Sequence, residues 1–107
     1  LSDIGTAFAK AYQEKYKEDP VYGALNGFGA IMILSQAMKA ANSTEPKALI
    51  KSLETGTWKS WPDAPVTFPR ADGVYWHNWV PPVLIIQYTK PNQDWKEADV
   101  VVTYSKK

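Results

Sequence analysis

The chain has 107 residues, no cysteine and a formal net charge of +1, with 45% apolar and 21% charged residues. That length holds one modest core, and such a composition excludes disorder, collagen-like repeats and a long coiled coil. Basic and acidic residues are interspersed, leaving no electrostatic footprint for nucleic acid or an anionic membrane surface, and without cysteine there are no disulfides, thiolate nucleophiles or Cys-based zinc sites.

Ser2 or Asp3 can cap a first helix, in which Ile4, Ala7, Phe8, Ala11, Tyr12 and Tyr16 recur at helical spacing as one apolar face. Lys10, Glu14, Lys17 and Glu18 take the opposite face. Asp19-Pro20 is expected to stop this helix and start the next, Asp19 accepting from the new N-terminal amides and Pro20 fitting the first turn. The second helix is predicted over residues 21–41, with the small residues Gly23, Ala24, Gly27, Gly29 and Ala30 gathered in its first half. Glycine costs up to ~1 kcal/mol per site in a helix interior. Close packing or a ligand near the backbone is therefore expected along that half.

Asn42 ends the second helix, and Ser43 or Thr44 is expected to cap a third that runs through Pro46 to residue 53 and turns Ala48, Leu49, Ile50 and Leu53 inward. Gly56 closes it. The hydrophobic period then changes to two. Residues 65–69 and 74–79 flank Arg70-Ala71-Asp72-Gly73, and Asp-Gly is a strong turn signal, so a β-hairpin is predicted. Pro81-Pro82 breaks the chain before the apolar run 83–88, which suits a strand buried on both faces and in need of cover on two sides. Pro91 to Asp94 turn the chain back into a last strand at 100–104. The longest apolar stretch, within residues 25–38, is interrupted by Asn26, Ser35 and Gln36 and falls short of the ~20 residues a membrane span needs.

His77 is the only histidine, and with no cysteine or acidic cluster at ligand spacing it assembles no metal site. Ser60, His77 and Asp99 could be composed into a triad, but no strand-turn-helix nucleophile context surrounds any serine. The glycines of the second helix lie inside it, not in a strand-to-helix loop, so they form no phosphate cradle. Trp58, Trp61, Trp76, Trp79 and Trp95 could make a stacking platform for sugars or peptides, or plug a small core and a domain seam. In a regular hairpin Tyr75, His77 and Trp79 share one face and Val74, Trp76 and Asn78 the other. Large aromatics on both faces call for a covering partner.

The succession Phe8, Tyr12, Tyr16, then Asp19-Pro20, then Ala24-Leu25-Asn26-Gly27-Phe28-Gly29-Ala30 resembles the end of type I periplasmic (extracellular) solute-binding proteins, the receptors of branched-chain amino acid ABC transporters. There F-x-x-x-Y-x-x-x-[YF] and a proline precede A-x-x-G-[YF]-D-A at the opening of a long helix. Ala37 to Thr44, Leu49 to Leu53, and Pro65-Val66-Thr67-Phe68 followed by Asp72-Gly73 are similar to that family's next helix and its G-x-[VL]-x-F hairpin, so order and spacing agree over nearly the whole chain. Two departures, Gly29 where the family has aspartate and Ala64 or Pro65 where it has glycine, leave the solute open.

This resemblance implies an α/β chain that is the C-terminal fragment of a two-lobed type I fold, helices first and then a β-hairpin and strands, with residues 1–107 contributing to both lobes. It implies a binding protein and not an enzyme: the solute-binding component of an ABC importer, taking a branched-chain amino acid or related small solute between its lobes without a cofactor. Its partners would be that solute and a membrane permease, and its location periplasmic or extracellular, anchored to the membrane or not through a segment upstream of Leu1. The absence of an initiator methionine and of a signal segment at Leu1 reads as a truncated or processed product, and such a fragment is expected to dimerise. By the same similarity Tyr22, Leu25 and Asn26 face the cleft as solute contacts. Two alternatives stay open: a stand-alone tryptophan-rich module for carbohydrate or peptide, and a ligand-sensing regulator domain of the same fold.

Overall fold

The computed structural model describes residues 1–70 and 76–104. α1 spans Asp3–Tyr16. Ser2 is extended, so its hydroxyl can accept the Gly5 N–H at 3.1 Å and satisfy one of the amides every helix start leaves unpaired. The same hydroxyl donates to the Ser60 carbonyl at 2.6 Å, and the Ser2 N–H donates to the Trp61 carbonyl at 2.9 Å. The cap thereby clasps the start of α1 to the segment after the third helix. Lys17 closes α1 in the left-handed region, its N–H donating to the Gln13 carbonyl.

α2 covers Tyr22–Ala41, within one residue of the predicted span. Asp19 does not cap it. Extended Val21 holds the cap position with no side-chain bond, and the Asp19 carboxylate instead pairs with Lys96 Nζ at 3.5 Å. Pro20 lies outside the first helical turn for the same reason. Phe28 stacks on Phe8 of α1 at 4.2 Å between ring centroids, and the aromatic row continues through Tyr12 and Tyr16.

α3 runs over Pro46–Thr55 and packs on α2, tied there by the Ser52 hydroxyl donating to the Ala37 carbonyl at 3.0 Å. Its cap is Glu45, not Ser43 or Thr44. Ser43 Oγ accepts the Glu45 N–H at 3.0 Å and so closes a turn ahead of the helix. Ala37, Trp58 and Val66 are buried, and Ile33, Leu53, Phe68 and Trp79 pack around them. Ile50, expected inward, is 51% exposed.

The hairpin predicted across residues 65–79 is not regular in its described parts. Val66 makes a single antiparallel bridge with Trp58, Trp79 Nε1 donates to the Pro65 carbonyl, and residues 76–79 carry no strand. His77, at φ 59, breaks the extended geometry that would have placed Tyr75, His77 and Trp79 on one face. The turn itself, with Ala71, Asp72, Gly73, Val74 and Tyr75, lies outside the described residues.

The sheet that does form pairs β1, Val83–Gln87, with β2, Asp99–Tyr104, antiparallel. Ile85 pairs with Val102 and Ile86 with Val100, leaving Val101 as a bulge. The expectation of a strand buried on both faces is overturned here: Val83, Leu84, Ile85 and Ile86 are 37–57% exposed. A two-stranded ribbon has no layer above or below it unless other chain supplies one. The accessible surface is 8347 Å², against roughly 6,000 Å² for a compact monomer of this mass. The radius of gyration is 16.4 Å, where a compact chain of similar length has about 13 Å.

Candidate functional site

Tyr22, Leu25, Asn26 and Gly29 stand at i, i+3, i+4 and i+7, so the three expected solute contacts continue the face of α2 on which Gly29 meets Ser60 and Trp61. A methyl group at Gly29 would lie 2.6 Å from Ser60 Oγ and 2.8 Å from Trp61 Cδ1, which is the close packing that the small residues demanded. Gly23 and Gly27 have nothing within 4 Å of such a methyl. Close approach within this chain therefore accounts for one of the three glycines.

Leu25 and Asn26 are half-buried, whereas Tyr22 is 75% exposed. The first turn of α2 carries no acidic side chain and no capping side chain, so its amides and dipole remain suited to a carboxylate. An aromatic ring, an aliphatic side chain and an amide thus stand beside an uncapped helix start. Together they make one wall: Tyr22, Leu25 and Asn26 line none of three cavities that the described residues form, beside the start of α1, beside α3, and between α2, α3 and Trp58.

The most apolar of those cavities lies elsewhere, between α3 and Phe68, Arg70, Trp76 and His77. Lys47, Ile50, Lys51 and Glu54 project from one face of α3, again at i, i+3, i+4 and i+7. Glu54 Oε1 sits 2.6 Å from His77 Nε2 and 3.5 Å from Arg70 Nε, and the Arg70 guanidinium lies 5.5 Å from the centre of the Trp76 ring. Sequence reasoning passed over Glu54, Lys51 and Arg70. The i, i+4 spacing of Lys47 and Lys51 was the available signal, but nothing in the sequence brings His77 to Glu54.

The tryptophans do not share one platform. Trp58 is buried in the core, Trp61 lies under Gly5 and Gly29, Trp79 packs beside Val66, and only Trp76 and Trp95 are exposed. Of the paper triad, Ser60 is buried against Gly29 while His77 is engaged by Glu54. No group of three or more potential metal ligands occurs among the described residues.

Neither curated proteins nor solved structures returned a match to the chain. One family model, described as "Periplasmic binding protein", matches residues 2–81, about three-quarters of the chain. The match takes in α1, α2, α3 and the Trp58–Val66 core, and it stops just short of β1. With the helix order, the aromatic row and the Gly29 contact all inside the matched segment, the chain belongs to the periplasmic binding protein family.

Proposed function

We propose that this chain is the C-terminal segment of a two-lobed receptor that takes a branched-chain amino acid or related small solute between its lobes and passes it to an ABC permease. Family membership supports the coarser part, a solute-binding role in the periplasm or outside the cell, in a family that is not in general enzymatic. No described helix is long and apolar enough to cross a membrane.

The observation that carries the finer reading is the bare apolar surface. The chain exposes roughly 2,000 Å² more than a compact monomer of its mass, and its exposed apolar side chains include Val21, Tyr22, Ile31 and Leu34 of the α2 region and residues of both strands. An excess of that size exceeds what one partner contributes to an ordinary protein–protein interface. It suits a segment completed by the rest of two lobes, with Tyr22, Leu25 and Asn26 as one wall of the solute cleft.

The test is calorimetric titration of the full-length receptor with leucine, isoleucine and valine, then with amide and aromatic amino acids. Saturable binding of an aliphatic amino acid is expected, weakened roughly ten- to hundredfold by Tyr22→Ala, as expected when apolar burial worth about 1.5–3 kcal/mol is lost. Binding of none of these solutes would refute the amino-acid reading. Binding indifferent to Tyr22 would move the cleft away from the start of α2. The tryptophan-module alternative loses its main support because the rings are dispersed, and a sensor of the same fold makes the same binding predictions.

A further inference from the structure

The cavity beside α3 has the dimensions of a ligand site, about 950 Å³, within the range of roughly 300–1,000 Å³ typical of small-molecule pockets. Its walls are Ile50, Leu53, Phe68 and Trp76, so an occupant must bring an apolar body. Its charge is unbalanced. Among the described residues that line the cavity, three permanent cations, Lys47, Lys51 and Arg70, stand beside one carboxylate, Glu54, which is already held by His77 at 2.6 Å and by Arg70 at 3.5 Å. Among the described residues Lys47 and Lys51 have no carboxylate partner. Lys47 and Lys51 are exposed and hydrated, so a neutral apolar ligand would gain nothing from them, an anion would be attracted and a cation repelled.

We infer that the α3 groove binds an organic anion that joins one carboxylate to a compact apolar body, the carboxylate at Lys47 and Lys51 and the body against Ile50, Phe68 and Trp76. Glu54 serves to fix the wall: by engaging both His77 and Arg70 it holds the segment carrying Trp76 against α3, and Arg70 in turn lies over the Trp76 ring. This site shares no residue with Tyr22, Leu25 and Asn26, so it stands or falls independently of the receptor cleft.

The probe is 3-phenylpropionate, with 3-phenyl-1-propanol as its uncharged counterpart, titrated into the full chain at low and at high salt. The indole N–H resonance of Trp76, identified by its loss in Trp76→Phe, reports occupancy. The acid is expected to shift that resonance saturably, to bind at least tenfold more tightly than the alcohol, and to weaken severalfold as salt rises. Lys47→Ala with Lys51→Ala, both at exposed positions, should weaken the acid about tenfold and leave the alcohol unchanged, while Ile50→Glu should abolish both. Equal binding of acid and alcohol, binding unaffected by the paired lysine replacement, or no saturable shift at Trp76 would each overturn the assignment and leave the Glu54–His77–Arg70 cluster as a structural clasp.

Discussion

Gly29 and Gly27 lie two residues apart in one helix, and the structure assigns the same substitution opposite effects at the two. Alanine relieves the backbone entropy cost of glycine in a helix interior, about 0.5–1 kcal/mol. At Gly27 nothing stands within 4 Å of the new methyl, so that gain is realised in full. At Gly29 the methyl would sit 2.6 Å from Ser60 Oγ and 2.8 Å from Trp61 Cδ1. The serine hydroxyl can rotate, but the indole is a rigid ring, and Ser60 is among the most buried residues described. Overpacking of this kind costs about 1–3 kcal/mol, which outweighs the propensity gain. The two variants should differ by about 2 kcal/mol, which is on the order of 10 °C in midpoint for a domain of this size. Thermal unfolding followed by far-UV circular dichroism and tryptophan emission measures it, with Gly29→Ala melting below the parent and Gly27→Ala above it. Equal midpoints for the two variants would show that Trp61 does not approach α2 as described. The same pair separates the isolated chain from the full receptor: if a second lobe covers the face of Gly23 and Gly27, Gly27→Ala loses its benefit there.

Two further perturbations address the clasp at the start of α1 and the exposed ribbon. Ser2→Ala removes both the cap on the Gly5 N–H and the bond to the Ser60 carbonyl, and should cost about 1–2 kcal/mol by urea unfolding; a cost below about 0.3 kcal/mol would mean that the clasp contributes little. The isolated chain is expected to self-associate through its exposed strands, and Ile85→Lys should shift sedimentation velocity profiles toward the monomer. Association unchanged by that substitution would place the contact elsewhere, with the bare face of α2 at Ile31 and Leu34 next to be tested.

Much of the helical half was legible because its signals are local. Ser2 followed by the spacing of Phe8, Tyr12 and Tyr16 describes α1, and α2 keeps its period until Asn42 turns left-handed. Where local signals competed, the sequence pointed to the wrong partner. Asp19 is a good cap by type, but extended Val21 separates it from the helix and Lys96 captures it. The apolar run at β1 called for burial, and the structure shows the strand without the layers that would bury it.

The order of the three helices and the last two strands, the absence of cysteine chemistry and the family resemblance were legible in the sequence alone, since composition, period and short motifs are properties of neighbours along the chain. Tyr22, Leu25 and Asn26 could be placed on one face of α2 from their spacing for the same reason. Only the tertiary structure decided that Gly29, and not Gly23 or Gly27, is the glycine pressed by Trp61, and that His77 meets Glu54 across 23 residues. Contacts between distant segments depend on how helices and loops are packed in space, and neither helical period nor residue type encodes that distance.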